Sequence, residues 1–187
     1  KVTYTLQEKQ LGTGHAVIQT EKSFNSKKEG TVIILPGDCP LIEAKTIEGL
    51  LEIHKESNAA GTILTTKRPT PANYGRILRG DMGSVLGIKE AKDCSPKELL
   101  INEINTGIYC FEQTQLFNAL KQTNTNNKQK EYYLTDVIHI LKEKNQYIGA
   151  YCIDDYNQVI GINTRIDLAQ INKIIYEKNN LHFMREG

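Results

Sequence analysis

The stretch Thr31-Val32-Ile33-Ile34-Leu35-Pro36-Gly37-Asp38-Cys39-Pro40-Leu41 decides the fold class of this chain. An unbroken apolar run halted by Pro-Gly suits a strand buried on both faces, as in a parallel sheet. Asp38 is then left at the carboxyl end of that strand. In open α/β sheets ligands bind along that edge. A carboxylate fixed there can hold a hard cation such as Mg²⁺. On position alone, a turn or helix-capping role for Asp38 is the commoner outcome.

Outward from this strand, helical and strand-like periods alternate. Ile47, Leu50, Leu51 and Ile53 predict a helix over Glu43–Lys55. Thr62–Thr66 is β-branched and predicts a strand. Gly75–Arg79 and Ser84–Ile88, joined by Gly80-Asp81-Met82-Gly83, predict a hairpin. Strands follow at Glu103–Phe111 and Gln146–Ile153, with helices at Glu112–Leu120 and Tyr133–Lys144. Thr164 caps a last helix to about Lys178, with Ile166, Leu168, Ile171 and Ile174 expected to be buried. Toward the amino terminus, Val2–Leu6 reads as a short strand, and Gly12-Thr13-Gly14-His15 opens a helix with Ala16, Val17 and Phe24 on its buried face. The expected fold is α/β: a mixed, mostly parallel sheet flanked by helices, with a small antiparallel excursion.

The 187 residues suffice for one such domain. A formal net charge of +1 argues against nucleic acid or an anionic membrane as a partner, so an anionic ligand must be held by local groups. Cys39, Cys94, Cys110 and Cys152 form no C-x-x-C pair, which excludes a zinc knuckle or redox pair and fits a reducing, cytoplasmic setting. The four histidines have no metal-ligand spacing. No apolar run is long enough to span a membrane.

Several short segments can carry chemistry. The Gly12-Thr13-Gly14 turn exposes backbone N–H groups to a base or phosphate, or merely starts a helix; it is neither a Walker A loop nor a dinucleotide fingerprint. Glu103, Asn105 and Gly107 fall on one face of a strand, where polar groups must be solvated or ligand-bound. Glu90 and Lys92 could grip a hydroxyl-rich ligand or be ordinary surface charges. Asn163 precedes a helix that Thr164 already caps.

Taken in order, Leu11-Gly-Thr-Gly-His-Ala16, Pro36-Gly-Asp-Cys-Pro-Leu41, Tyr74-Gly-Arg76, Glu90 with Lys92, Glu103-Ile-Asn-Thr-Gly-Ile108, Glu131-Tyr-Tyr-Leu-Thr-Asp136 and Gly161-Ile-Asn-Thr-Arg165 form a set. The set resembles the uridyltransferase domain of the bacterial bifunctional enzymes that make UDP-N-acetylglucosamine. The first segment is shared more widely with sugar-nucleotide pyrophosphorylases. The resemblance implies a Rossmann-like fold of the nucleotide-diphospho-sugar transferase type. It implies formation of UDP-N-acetylglucosamine and pyrophosphate from UTP and N-acetylglucosamine-1-phosphate, for peptidoglycan and lipopolysaccharide precursors. Position by position, it implies that Gln7, Gly12 and Thr13 hold uracil, with Gly37 beside the nucleotide. Asp38 and Asn163 would be the catalytic pair and the protein ligands of Mg²⁺. Gly75, Glu90, Asn105 and Thr135 would hold the N-acetylglucosamine moiety, with Glu131 at its border.

Two departures qualify this. The family's glycine-rich phosphate loop and left-handed β-helix are not found within residues 1–187, which are expected to be a partial uridyltransferase domain. Such a segment could be inactive and monomeric, with an exposed sheet edge, whereas the full-length relatives are expected to be homotrimers. Pro36 also stands where an aromatic is common in relatives. The competing readings are another sugar-1-phosphate nucleotidyltransferase, or a non-catalytic regulatory paralogue lacking the phosphate loop.

Overall fold

The structure, a computed structural model, describes residues 2–24 and 29–187, so Lys1 lies outside it. Strands β1 (Thr31–Ile34), β2 (Gly61–Lys67), β3 (Arg76–Arg79), β4 (Val85–Lys89), β5 (Glu103–Glu112) and β6 (Ile148–Ile153) form one sheet. Its order is β4-β3-β5-β2-β6, with β1 also paired to β5. β2 and β6 are parallel neighbours. β5 runs antiparallel to β1, β2 and β3, and β4 runs antiparallel to β3. Thus β1, β2, β3 and β6 share one direction, as expected, but β5 intrudes between them and leaves β2–β6 as the one parallel pairing among the described residues.

The opening strand is a correction. β1 is not a central strand buried on both faces. It pairs antiparallel with the carboxyl half of β5, and its other edge has no partner among the described residues. Val32 is buried, Ile33 and Ile34 are half-buried, and Leu35 is exposed. An apolar run reports a strand but not which neighbours it meets.

Side-chain alternation along β2 and β5 builds two cores. Ile63, Tyr109 and Phe111 pack with Leu116 of α3 (Gln113–Leu120) and Val137, Ile138 and Leu141 of α4 (Asp136–Glu143). Leu64, Ile108 and Cys110 face the other way, against Leu50 of α2 (Ala44–Glu56). Each fully buried aliphatic side chain is worth roughly 1.5–3 kcal/mol. Helices α1 (Thr13–Gln19) and α5 (Arg165–Glu186) complete the fold.

The remaining differences have local causes. Val2–Leu6 forms no strand, and its apolar side chains are exposed. α4 starts at Asp136 instead of Tyr133, because Tyr132–Leu134 bond to the Gly12 turn instead. Phe24 lies in a short 3-10 turn beyond α1 and packs on Phe117 at 5.5 Å. α5 begins with a full capping box between Thr164 and Asp167 but continues to Glu186. Of its expected buried face Ile171 is buried, while Ile166 and Leu168 are exposed. No helix among the described residues is long and apolar enough to cross a membrane.

One irregularity in the sheet positions the candidate site. From the pair Ile63↔Tyr109 to the pair Thr65↔Asn105, β2 advances from 63 to 65 while β5 covers 105 to 109. β5 therefore bulges over Thr106–Ile108, with Gly107 at φ 80°, a backbone state that glycine adopts without strain. On the edge of β5 away from β2, β1 takes Tyr109–Glu112 and β3 meets Ile104. The two strands part at the bulge, leaving a cleft in the sheet.

Candidate active site

The bulge separates two cavities that share Pro36 and Gly107. The first, of about 310 Å³, has a largely apolar wall from Ala16, Val17, Ile34, Tyr109 and Leu134. Its polar groups are Thr13, Glu90, Asn105 and Thr135. These come from four separate elements, and their hydrogen bonds hold them in fixed orientations. Asn105 Oδ1 accepts from the Tyr109 hydroxyl at 2.9 Å and from the Gly107 N–H at 3.2 Å. Its amide N–H₂ group has no partner among the described residues and remains a donor. The Asn105 N–H donates to the Gly75 carbonyl at 2.8 Å. The Thr135 hydroxyl donates to Glu90 Oε1 at 3.0 Å. Burial pushes the Glu90 carboxyl above its usual range, and Asp93 and Asp136 add to this while the Thr135 bond opposes it. Burial likewise pushes the Tyr109 hydroxyl up, so it stays a neutral donor.

The second cavity, of about 490 Å³, contains Asp38, Cys39, Arg68, Asn73, Asn163 and Gln170. The Ile162 N–H donates to the Asp38 carbonyl at 3.0 Å, tying the loop after β1 to the loop before α5. A Cβ added to Gly161 would sit 2.8 Å from Asp38 Oδ2 and 3.6 Å from Asn163 Nδ2, so the two side chains flank one spot that glycine keeps clear. Among the described residues the Asp38 side chain has one hydrogen bond, from the Cys39 thiol at 3.7 Å, and the Asn163 side chain has none. Burial and the Asp38 charge raise the Cys39 thiol to about 11, so it remains protonated beside the carboxylate. A carboxylate and an amide are hard oxygen donors that leave most of an octahedral shell to water or phosphate, which suits Mg²⁺. Among the described residues no group of three or more His, Cys, Asp and Glu side chains is placed to hold a metal ion.

The glycine-rich turn lies at the rim of the first cavity. Gly12 has φ 111°, and a Cβ there would lie 2.6 Å from the Tyr132 carbonyl. The Gly14 N–H donates to that carbonyl at 2.8 Å, Tyr132 N–H donates to Leu11 O at 2.8 Å, and Leu134 N–H donates to the Thr13 hydroxyl at 3.1 Å. The structure thereby joins two segments that the sequence presents separately. Gln7 bonds His15 Nδ1 at 2.9 Å and the Gly12 carbonyl at 3.2 Å.

The expected site residues are thus distributed. Asp38 and Asn163 come together in one cavity, and Glu90, Asn105 and Thr135 in the other with Thr13 at their side. Gly75 acts through its carbonyl. Gln7 and Gly12 shape the turn. Gly37 lines neither cavity, and an added Cβ there would meet nothing within 4 Å. Glu131 lines neither cavity; its backbone bonds to Asn127. Glu103 lines neither cavity. Burial would raise its carboxyl, but bonds from Arg79 at 2.5 Å and Thr65 at 2.7 Å outweigh this and hold it below the usual range. Sequence reasoning missed Tyr109 and Arg68. The Tyr109 hydroxyl reaches Asn105 across the bulge, which no strand period announces.

The sequence matches the nucleotidyl transferase family over residues 1–165. The chain belongs to that family. This nucleotidyl transferase is 49% identical over 187 residues to the bifunctional protein GlmU of Limosilactobacillus reuteri (strain DSM 20016), covering all of this chain and 41% of that protein. It is 45% identical over 184 residues to the bifunctional protein GlmU of Enterococcus faecalis (strain ATCC 700802 / V583), covering 98% of this chain and 40% of that protein. The chain therefore spans about two fifths of the length of these curated relatives. Solved structures share its fold at low identity. A UDP-glucose pyrophosphorylase complexed with UDP-glucose superposes with a TM-score of 0.70 at 16% identity, covering 94% of this chain and 66% of that one. A nucleoside-diphosphate-sugar pyrophosphorylase from Vibrio cholerae RC9 gives 0.65 at 14% identity, covering 89% and 66%.

Proposed function

We propose that this nucleotidyl transferase segment is the uridyltransferase portion of a bifunctional enzyme, making UDP-N-acetylglucosamine and pyrophosphate from UTP and N-acetylglucosamine-1-phosphate. The observation that carries the reading is the meeting of two cavities of different chemistry at the Gly107 bulge, one with its polar side chains bonded to protein partners, the other holding a carboxylate bonded only by the Cys39 thiol and an amide side chain with no hydrogen-bond partner among the described residues.

The sugar phosphate is already a nucleophile and needs no general base, so the residues act by positioning and by charge. The Asn105 amide donates to the sugar, oriented by Tyr109 and Gly107. Glu90, fixed by Thr135, accepts from sugar hydroxyls. Gly75 supports this pocket and Glu131 stands outside its wall. Gln7, Gly12 and Thr13 receive the uracil on the docked turn, with Gly37 beside the nucleotide. Asp38 and Asn163 would hold a Mg²⁺ ion, which when bound would supply positive charge against the repulsion between two anions. The setting is cytoplasmic, where UTP is available, and the whole protein is a homotrimer serving cell-wall precursor synthesis.

A substrate panel with the full-length protein tests this. Pyrophosphate release is expected with UTP and N-acetylglucosamine-1-phosphate, and release at least about tenfold slower, or about 1.4 kcal/mol, is expected with other nucleotides or with glucose-1-phosphate. Equal rates across the panel, or none with any pair, would overturn the assignment.

A further inference from the structure

The second cavity contains one cation among its described lining residues, Arg68. Arg68 follows β2, and its N–H donates to the Asn102 carbonyl at 2.9 Å, which fixes the base of the side chain. Its guanidinium carbon lies 5.3 Å from the Tyr74 ring centroid and 5.7 Å from that of Tyr156. Tyr74 belongs to the loop that carries Gly75. Tyr156 begins the 3-10 turn Tyr156–Val159 that runs on toward Gly161 and Asn163. Arg68 therefore spans the two loops that border the sugar side and the Asp38–Asn163 side of the site.

Aromatic stacking occupies the faces of a guanidinium and leaves its in-plane N–H donors available. Among the described residues those donors have no hydrogen-bond partner and no ion pair. Arg76, nearby on β3, differs: its two terminal guanidinium nitrogens donate to the Ala72 carbonyl at 3.1 Å and to the Tyr74 carbonyl, holding the same loop. Neither acid of the cavity forms an ion pair with Arg68 among the described residues. Asp167 is engaged by Thr164 and the Asn163 N–H in the helix cap, and Asp38 stands beside Asn163. A positioned planar fork with free donors, in a cavity with hard oxygen ligands, matches a phosphate group.

We propose that Arg68 is a phosphate-binding residue of this site, engaging a phosphate carried by either the sugar phosphate or the nucleotide. This rests on the functional reading above. It adds a contact that does not depend on a glycine-rich phosphate loop.

The test uses the full-length protein with Arg68→Ala and Arg68→Lys. For Arg68→Ala the KM of one phosphorylated substrate is expected to rise about 10-fold or more, with kcat changed less. A rise for N-acetylglucosamine-1-phosphate assigns the contact to the sugar phosphate, and a rise for UTP assigns it to the nucleotide. Arg68→Lys, which keeps the charge but not the fork, should fall between. Calorimetry provides a readout free of turnover: Arg68→Ala should weaken binding of N-acetylglucosamine-1-phosphate or pyrophosphate, while unphosphorylated N-acetylglucosamine is unaffected. Unchanged KM and binding, or equal weakening of the unphosphorylated sugar, would overturn the proposal and leave Arg68 as a loop clamp. If Arg68→Ala does not fold, Arg68→Lys decides by the same comparison. If the wild-type protein turns over no sugar phosphate, the functional reading fails, and pyrophosphate binding still judges Arg68.

Discussion

The two cavities flanking Gly107 differ in how their polar groups are used. In the first, Glu90, Asn105, Thr135 and Tyr109 bond to one another and keep a single amide donor free. In the second, Asp38 and Asn163 sit together with almost no protein partners. A self-satisfied lattice is suited to reading a neutral, hydroxyl-rich ligand, because its orientation is fixed before the ligand arrives. Unpaired hard donors are suited to charge that the ligand itself brings. The backbone achieves this division with one bulge, which ends β1 and starts β3 on the same edge of β5.

The comparison breaks most visibly at Asp38. Asp38→Ala should lower the rate of pyrophosphate release by about 10³-fold or more in the full-length protein, since several kcal/mol of charge stabilisation goes with it. Its melting temperature should stay close to wild type, because Asp38 supports little of the fold through its side chain. Near-normal release would remove the charge cavity from the mechanism. A second large effect is structural. Gly12→Val places a Cβ 2.6 Å from the Tyr132 carbonyl at φ 111°, and should cost on the order of 1–3 kcal/mol or more in denaturant unfolding. Wild-type stability in that variant would mean the turn is not docked on Tyr132–Leu134.

These elements show how far the sequence could be read. α2 and β2 follow from Leu50 with its helical neighbours and from the β-branched Thr62–Thr66, because a one-sided burial pattern imposes its own period. β1 was legible as a strand but not as an edge strand. The Gly107 bulge was not legible, since nothing local distinguishes a glycine that bulges from one that pairs. The pairing of Asp38 with Asn163 as ligands of one cation rests on resemblance, and the docking of the Gly12 turn on Tyr132 is not legible in the sequence at all. Both are set by long-range backbone bonds, Ile162 to Asp38 and Gly14 to Tyr132, that leave no periodic trace.

Smaller effects sharpen the contrast. Asn105→Ala should raise the KM for the sugar phosphate more than that for UTP, by a loss of about 1–3 kcal/mol, and equal changes would contradict the assignment of the first cavity. Glu90 offers a pH signature. Its folded carboxyl lies above its ordinary value, so the folded state favours the protonated form. The stability Glu90 contributes is then full below its unfolded pKa and declines as pH rises through the folded one. Glu90→Gln should consequently gain in melting temperature relative to wild type as pH rises from about 4 to about 8. A difference that shrinks over this range would show that burial does not govern Glu90.

The division of labour itself is tested most directly by the Mg²⁺ dependence of pyrophosphate release in Asn163→Ala and Asn105→Ala, compared in the full-length protein. The Mg²⁺ concentration giving half-maximal rate should rise about 10-fold or more for Asn163→Ala and stay at the wild-type value for Asn105→Ala. Equal shifts in the two variants, or none in Asn163→Ala, would contradict the account.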